Sequence, residues 1–150
     1  MKYLDRNKNI NRGFRKLEIW MESTMLFVFV KKKIDVIDKI SFKTKAQIED
    51  STLSISSNIA EGYGRRFIRE NIQFNNIALG SLAENYSQIY NLFNVGIIGE
   101  EWFNEYDKKH YSIENKLISF NKSQIEISKR KSEWKDDYQV RDIIQEYYNG

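Results

Sequence analysis

Apolar residues recur at steps of three and four along most of the first 130 positions, the spacing that turns one face of an α-helix toward a core. A first helix is predicted from about Phe14 to Lys39, with Leu17, Trp20, Met21 and Val28 along one stripe. Inside it, the six residues from Met25 to Val30 are all apolar. At about 100° per residue they point in every direction around a helix. The stretch "LFVFV" also reads as a strand, and periodicity alone does not choose; length and the scarcity of turn residues favour helix. A helix apolar on both faces in so small a domain predicts that a second chain covers the outer one.

The second helix, about Phe42 to Glu61, sets Ile48, Thr52, Ile55 and Ile59 on one seam. Gly62 is expected to stop it in the left-handed conformation that closes helix C-termini, with Gly64 freeing the turn that follows. The third, about Arg69 to Asn94, carries Ile72, Leu79, Leu82, Tyr86, Ile89 and Phe93 at core positions, with Asn75 as a polar exception. Gly80 within it costs about 1 kcal/mol of helix propensity, for which close approach of a neighbouring backbone is the expected compensation. Gly96 ends that helix. A fourth begins near Gly99, with Glu100 and Glu101 in a first turn that favours negative charge, and runs to about Arg130. Its stripe is Phe103, Tyr106, His110, Ile113, Leu117, Phe120 and Ile127, with Gln124 as the exception.

The fold class expected is all-α: an antiparallel up-down-up-down four-helix bundle over residues 14–130. Residues 1–13 are read as a flexible N-terminal segment and 131–150 as a C-terminal extension. Within the extension "DDYQ" resembles a capping box, and Val140, Ile143, Ile144 and Tyr147 form the apolar side of a short fifth helix.

Composition agrees. Of 150 residues, 41% are hydrophobic and 30% charged, which suits a single folded domain. There is no proline to break helices and no cysteine, so disulfides, thiolate catalysis and cysteine-bound metals are excluded. The start, "MKYLDRNKNINRG", has no apolar targeting core, and the longest apolar run is far below the roughly 20 residues a membrane helix needs. The expectation is a cytoplasmic protein with no membrane partner and no cofactor.

Charge is sorted along the chain. Residues 1–70 hold 15 Lys and Arg against 9 Asp and Glu; residues 71–150 hold 9 against 12, and the net charge is +3. In an up-down-up-down bundle the start of helix 1, the loop between helices 2 and 3 and the end of helix 4 share one pole. Nine cations are then expected there: Arg12, Arg15, Lys16, Arg65, Arg66, Arg69, Lys129, Arg130 and Lys131. Glu18, Glu61, Glu70 and Glu133 are the nearby acids. At the other pole Lys39, Lys43 and Lys45 face Glu100, Glu101, Glu105 and Asp107.

Three blocks, "FRKLEIW" at 14–20, "SNIAEGYGRR" at 57–66 and "IALGSLAE" at 77–84, resemble the four-helix bundle proteins encoded in intervening sequences of bacterial 23S ribosomal RNA genes. The accessory variability proteins of diversity-generating retroelements look like relatives. The resemblance covers about residues 14–130. It implies a ring-like homopentamer, basic on part of its surface, that binds RNA or DNA without catalysis; the retroelement relatives imply contact with a reverse transcriptase. This chain departs from the family pattern in having Ile55 before Ser56 where proline is expected, and Phe67 and Ile68 where a serine N-cap is expected.

Each candidate has a plainer reading. Arg65 and Arg66 can simply cap helix 2 and pair with Glu61; as part of an exposed cluster they would gather phosphates without reading bases. Tyr63 and Phe67 can stack on unpaired bases, but aromatics beside a turn more often cover core. "KKK" at 31–33 reads as a solvated helix segment. Asp107, His110 and Glu114 sit one turn apart, yet the chain has no Glu-x-x-His motif for a di-metal bundle site. Helical RNases of the HEPN type keep an arginine four to six residues before the histidine; here those positions are Tyr106, Glu105 and Asn104. A buried, hydrogen-bonded His110 and no catalysis are the expectation. The alternative to nucleic-acid binding is an adaptor that holds a reverse transcriptase or similar enzyme.

Overall fold

The computed structural model describes residues 3–4, 6–65 and 67–130. A 3-10 helix, Ile10–Lys16, leads into four α-helices: α1 Glu18–Asp35, α2 Phe42–Gly64, α3 Ile68–Asn94 and α4 Glu100–Arg130. Local chemistry sets several ends. Ser41 N-caps α2 by accepting at its Oγ from the Thr44 N–H, 3.2 Å away. Gly96, at φ +76°, takes the left-handed turn that ends α3, and the N–H groups of Ile97 and Ile98 return to the Leu92 carbonyl.

Side-chain pairs fix the topology, because pairs near the ends of neighbouring helices join a late residue of one to an early residue of the other, and mid-helix residues pair with mid-helix residues. Lys31 bonds Glu49 between α1 and α2; Ser54 meets Ser81, and Asn85 bonds Thr52, between α2 and α3. Tyr106 bonds Asn85, and Asn121 bonds Asn76, between α3 and α4. Lys116 of α4 closes the circuit on Glu18 and Glu22 of α1. This is the expected antiparallel bundle. The α2 seam and the α4 stripe are buried as predicted, with Ile127 only half-buried.

Four details differ. The first helix is not continuous: helical structure begins at Ile10, and Leu17, in extended conformation, breaks it before α1. The buried face of α1 is Ile19, Ser23, Leu26, Val30 and Ile34, not the stripe through Val28, which is 48% exposed. A run that is apolar in every direction leaves periodicity nothing to select. Gly62 does not stop α2; it is buried inside the last turns, where an added Cβ would lie 2.9 Å from Phe74 Cβ and 3.2 Å from the Asn71 carbonyl oxygen. Gly80, expected at a close backbone approach, has nothing within 4 Å of such a Cβ. The expected fifth helix lies outside the described residues.

Candidate nucleic-acid interface

Three of the nine predicted cations stand on the 3-10 helix. Asn9 caps it, its Oδ1 accepting from the Arg12 N–H at 3.2 Å. Arg15 donates to the Arg12 carbonyl (3.3 Å) and the Arg6 carbonyl (3.1 Å), and Arg12 to the Asn7 carbonyl (3.4 Å). The segment lies on the end of α2: Phe14 meets Tyr63 edge-on at 6.3 Å and Trp20 at 5.2 Å. The segment that carries Arg12, Arg15 and Lys16 thereby packs against the last turns of α2, which Arg65 follows.

Arg65 is engaged by its own neighbours. Its guanidinium pairs with Glu61 at 2.6 Å, approaches Glu70 at 4.0 Å and lies over the Phe74 ring at 4.7 Å. The capping reading therefore holds for Arg65. Arg69, in the first turn of α3, and Lys129 and Arg130, in the last turn of α4, are exposed, as is Lys16. Arg66 and Lys131 lie outside the described residues. The antiparallel course of the helices puts the end of α4 at the same end of the bundle.

The acids near this pole are largely committed. Glu18 and Glu22 both accept from Lys116, and those hydrogen bonds, Glu18 first, hold the Lys116 ammonium above its ordinary range. Glu61 and Glu70 face Arg65. Two cations escaped the sequence reading: Arg6, whose carbonyl receives Arg15, and exposed Lys8. Treating residues 1–13 as flexible hid them, although Asn9 three residues before Arg12 is an N-cap signal.

Tyr63 is 3% exposed, which removes it as a base-stacking platform, whereas Phe67 is 51% exposed. Lys31 of the lysine run bonds Asp35 and Glu49, which raise its pKa in that order. Lys33 lies over Trp102 at 5.8 Å.

Deeper in the bundle, polar side chains bridge the helices. Tyr106 donates to Asn85 Oδ1 at 2.7 Å, and Asn85 Nδ2 donates to Ser51 (3.0 Å) and Thr52 (2.6 Å). Burial, with smaller contributions from Tyr86 and Asp107, pushes the Tyr106 hydroxyl pKa up, so it stays a donor. His110 is buried, its Nε2 2.7 Å from the Leu82 carbonyl oxygen; because a carbonyl only accepts, Nε2 carries the proton. Its edges face Tyr86 and Tyr106. Among the described residues no cluster of His, Asp and Glu could hold a metal, and no helix is long and apolar enough to cross a membrane. Toward the α2–α3 corner, the buried oxygens Asn75 Oδ1, Asn121 Oδ1 and Gln124 Oε1 have no hydrogen-bond partner among the described residues.

A family model described as 23S rRNA-intervening sequence protein matches residues 15–119. Among solved structures, the chain is similar to a protein of unknown function from the S23 ribosomal protein family of Bacteroides thetaiotaomicron VPI-5482. The TM-score is 0.64 at 24% identity, over 69% of this chain and 98% of that one, which is a likeness of fold. A search of curated proteins finds no match.

Proposed function

From its membership of the 23S rRNA-intervening sequence protein family, to which the chain belongs, we propose a noncatalytic nucleic-acid-binding protein that holds RNA or DNA phosphates on its basic pole. The observation that carries the reading is the docking of the 3-10 helix on the end of α2, which sets Arg12, Arg15 and Lys16 beside the α2–α3 corner. The acids there are matched by Arg65 and Lys116, so Arg12, Lys16 and Arg69 project their charge outward. Flexible cations without base-reading amides or a recognition helix contact phosphates rather than sequence. The protein works as a homopentamer in the cytoplasm, so that the pole is repeated around a ring. With two phosphates neutralised per subunit, log K falls against log salt with a slope of about −9 on duplex DNA and about −7 on a single strand.

Fluorescence anisotropy with an unrelated single-stranded RNA, titrated with salt, tests this. Binding with a steep salt slope is expected, and the triple reversal Arg12→Glu, Lys16→Glu and Arg69→Glu is expected to abolish it while the far-ultraviolet circular dichroism is unchanged. Absence of binding at low salt would leave the second reading, an adaptor holding a nucleic-acid enzyme such as a reverse transcriptase.

A further inference from the structure

We propose that Gly13 is a positioning residue: Tyr63 seats against its bare Cα, and this contact fixes the N-terminal cations beside the α2–α3 corner. The functional consequence rests on the basic-pole reading above; the geometry does not.

No residue of the 3-10 helix is fully buried, and half-buried Phe14 is its apolar contact with the core. Its attachment runs through Leu17, which is buried immediately after it, through Phe14, and through Gly13 between the cations. A Cβ at position 13 would stand 2.0 Å from Tyr63 Oη, 2.7 Å from Cζ and 3.2 Å from Cε1. Something would have to move. The Tyr63 ring is rigid, only 3% exposed and anchored in the last turns of α2, so it has little room to yield. The lightly held segment is the part that gives way.

Alanine isolates this contact. Among the described residues only Asn7 and Gly96 have positive φ, so Gly13→Ala introduces no left-handed strain, and alanine is the better helix former. Any displacement is steric. Because Arg15 is tied to the carbonyls of Arg6 and Arg12, the arginines on both sides of Gly13 move as one unit.

The chain has no cysteine, which permits a direct measurement. Spin labels on the Lys8→Cys/Gln73→Cys pair, both exposed positions, report the distance from the N-terminal segment to α3. Adding Gly13→Ala is expected to lengthen or broaden that distance distribution, with an unchanged thermal midpoint. In the unlabelled protein it is expected to weaken binding of the same single-stranded RNA several-fold and to make the salt slope shallower by up to about 1.4 per subunit, the whole share of the two phosphates each pole holds. An unchanged distance distribution overturns the Gly13 contact as the holding point. A shifted distribution with undiminished affinity overturns its role in positioning the cations for binding. If the parent protein binds no RNA even at low salt, the basic-pole reading fails, and the distance measurement still decides whether Gly13 sets the segment's place.

Discussion

Asn85 is fully buried between α2 and α4, donating to Ser51 and Thr52 and accepting from Tyr106. Gln124, equally deep, keeps an amide oxygen with no partner. These two amides carry opposite expectations. Asn85→Leu strands the Tyr106 hydroxyl without an acceptor inside the core and should cost about 2–4 kcal/mol. Gln124→Leu removes a stranded oxygen at nearly the same volume and should be neutral or stabilising, by up to about 2 kcal/mol. Urea denaturation of the two variants checks both signs; a stabilised Asn85→Leu would mean the network adds nothing. Sequence pattern points to one of these residues and not the other. Gln124 stands out as a polar break in an apolar stripe, whereas Asn85 falls between the predicted core positions of its helix, and hydrogen-bond partners drawn from two other helices leave no periodic trace.

Among the elements, α2 and α4 were legible from sequence, because their apolar residues occupy one face and nothing competes with it. α1 was not. Its all-apolar middle makes every stripe look acceptable, and the break at Leu17 arises from contacts with α2 that no local signal announces. The glycines show the same limit: Gly62 reads as a stop and Gly80 as a close approach, and the structure puts the close approach at Gly62 and leaves Gly80 open in the middle of α3. Gly62→Ala would press a methyl group onto Phe74 Cβ and the Asn71 backbone, neither of which is a flexible tip. That overpacking, about 1–3 kcal/mol, should outweigh the roughly 1 kcal/mol gained in helix propensity. Gly80→Ala meets no atom of its own chain and should keep the whole propensity gain. Thermal melts of the two variants should therefore move in opposite directions, and a stabilised Gly62→Ala would show that the α2–α3 corner is looser than its contacts indicate.

For the whole molecule, the sequence offers the proposed basic pole as a list of cations but not as a distribution of work. Topology alone predicts which cations share an end; only the packed structure separates Arg65, occupied by Glu61, Glu70 and Phe74, from Arg69 and Lys16, which face outward. The proposed ring multiplies whatever one pole can do, so assembly and binding should fall together. Met25 and Val28 lie on the outer face of α1, 66% and 48% exposed, although both are apolar. Replacing both with glutamate adds two charges per subunit where a partner surface would have to desolvate them, at a cost an interface rarely survives, while the core behind Leu26 and Val30 is untouched. Light scattering should then report the parent as a multiple of 17.9 kDa and the double variant at that mass, with the same helical circular dichroism. On single-stranded RNA the salt slope should drop from about −7 to about −1.4, because a single pole neutralises two phosphates instead of ten. A parent that scatters as a monomer removes the ring, and a double variant that loses assembly but keeps the steep slope separates binding from the ring altogether.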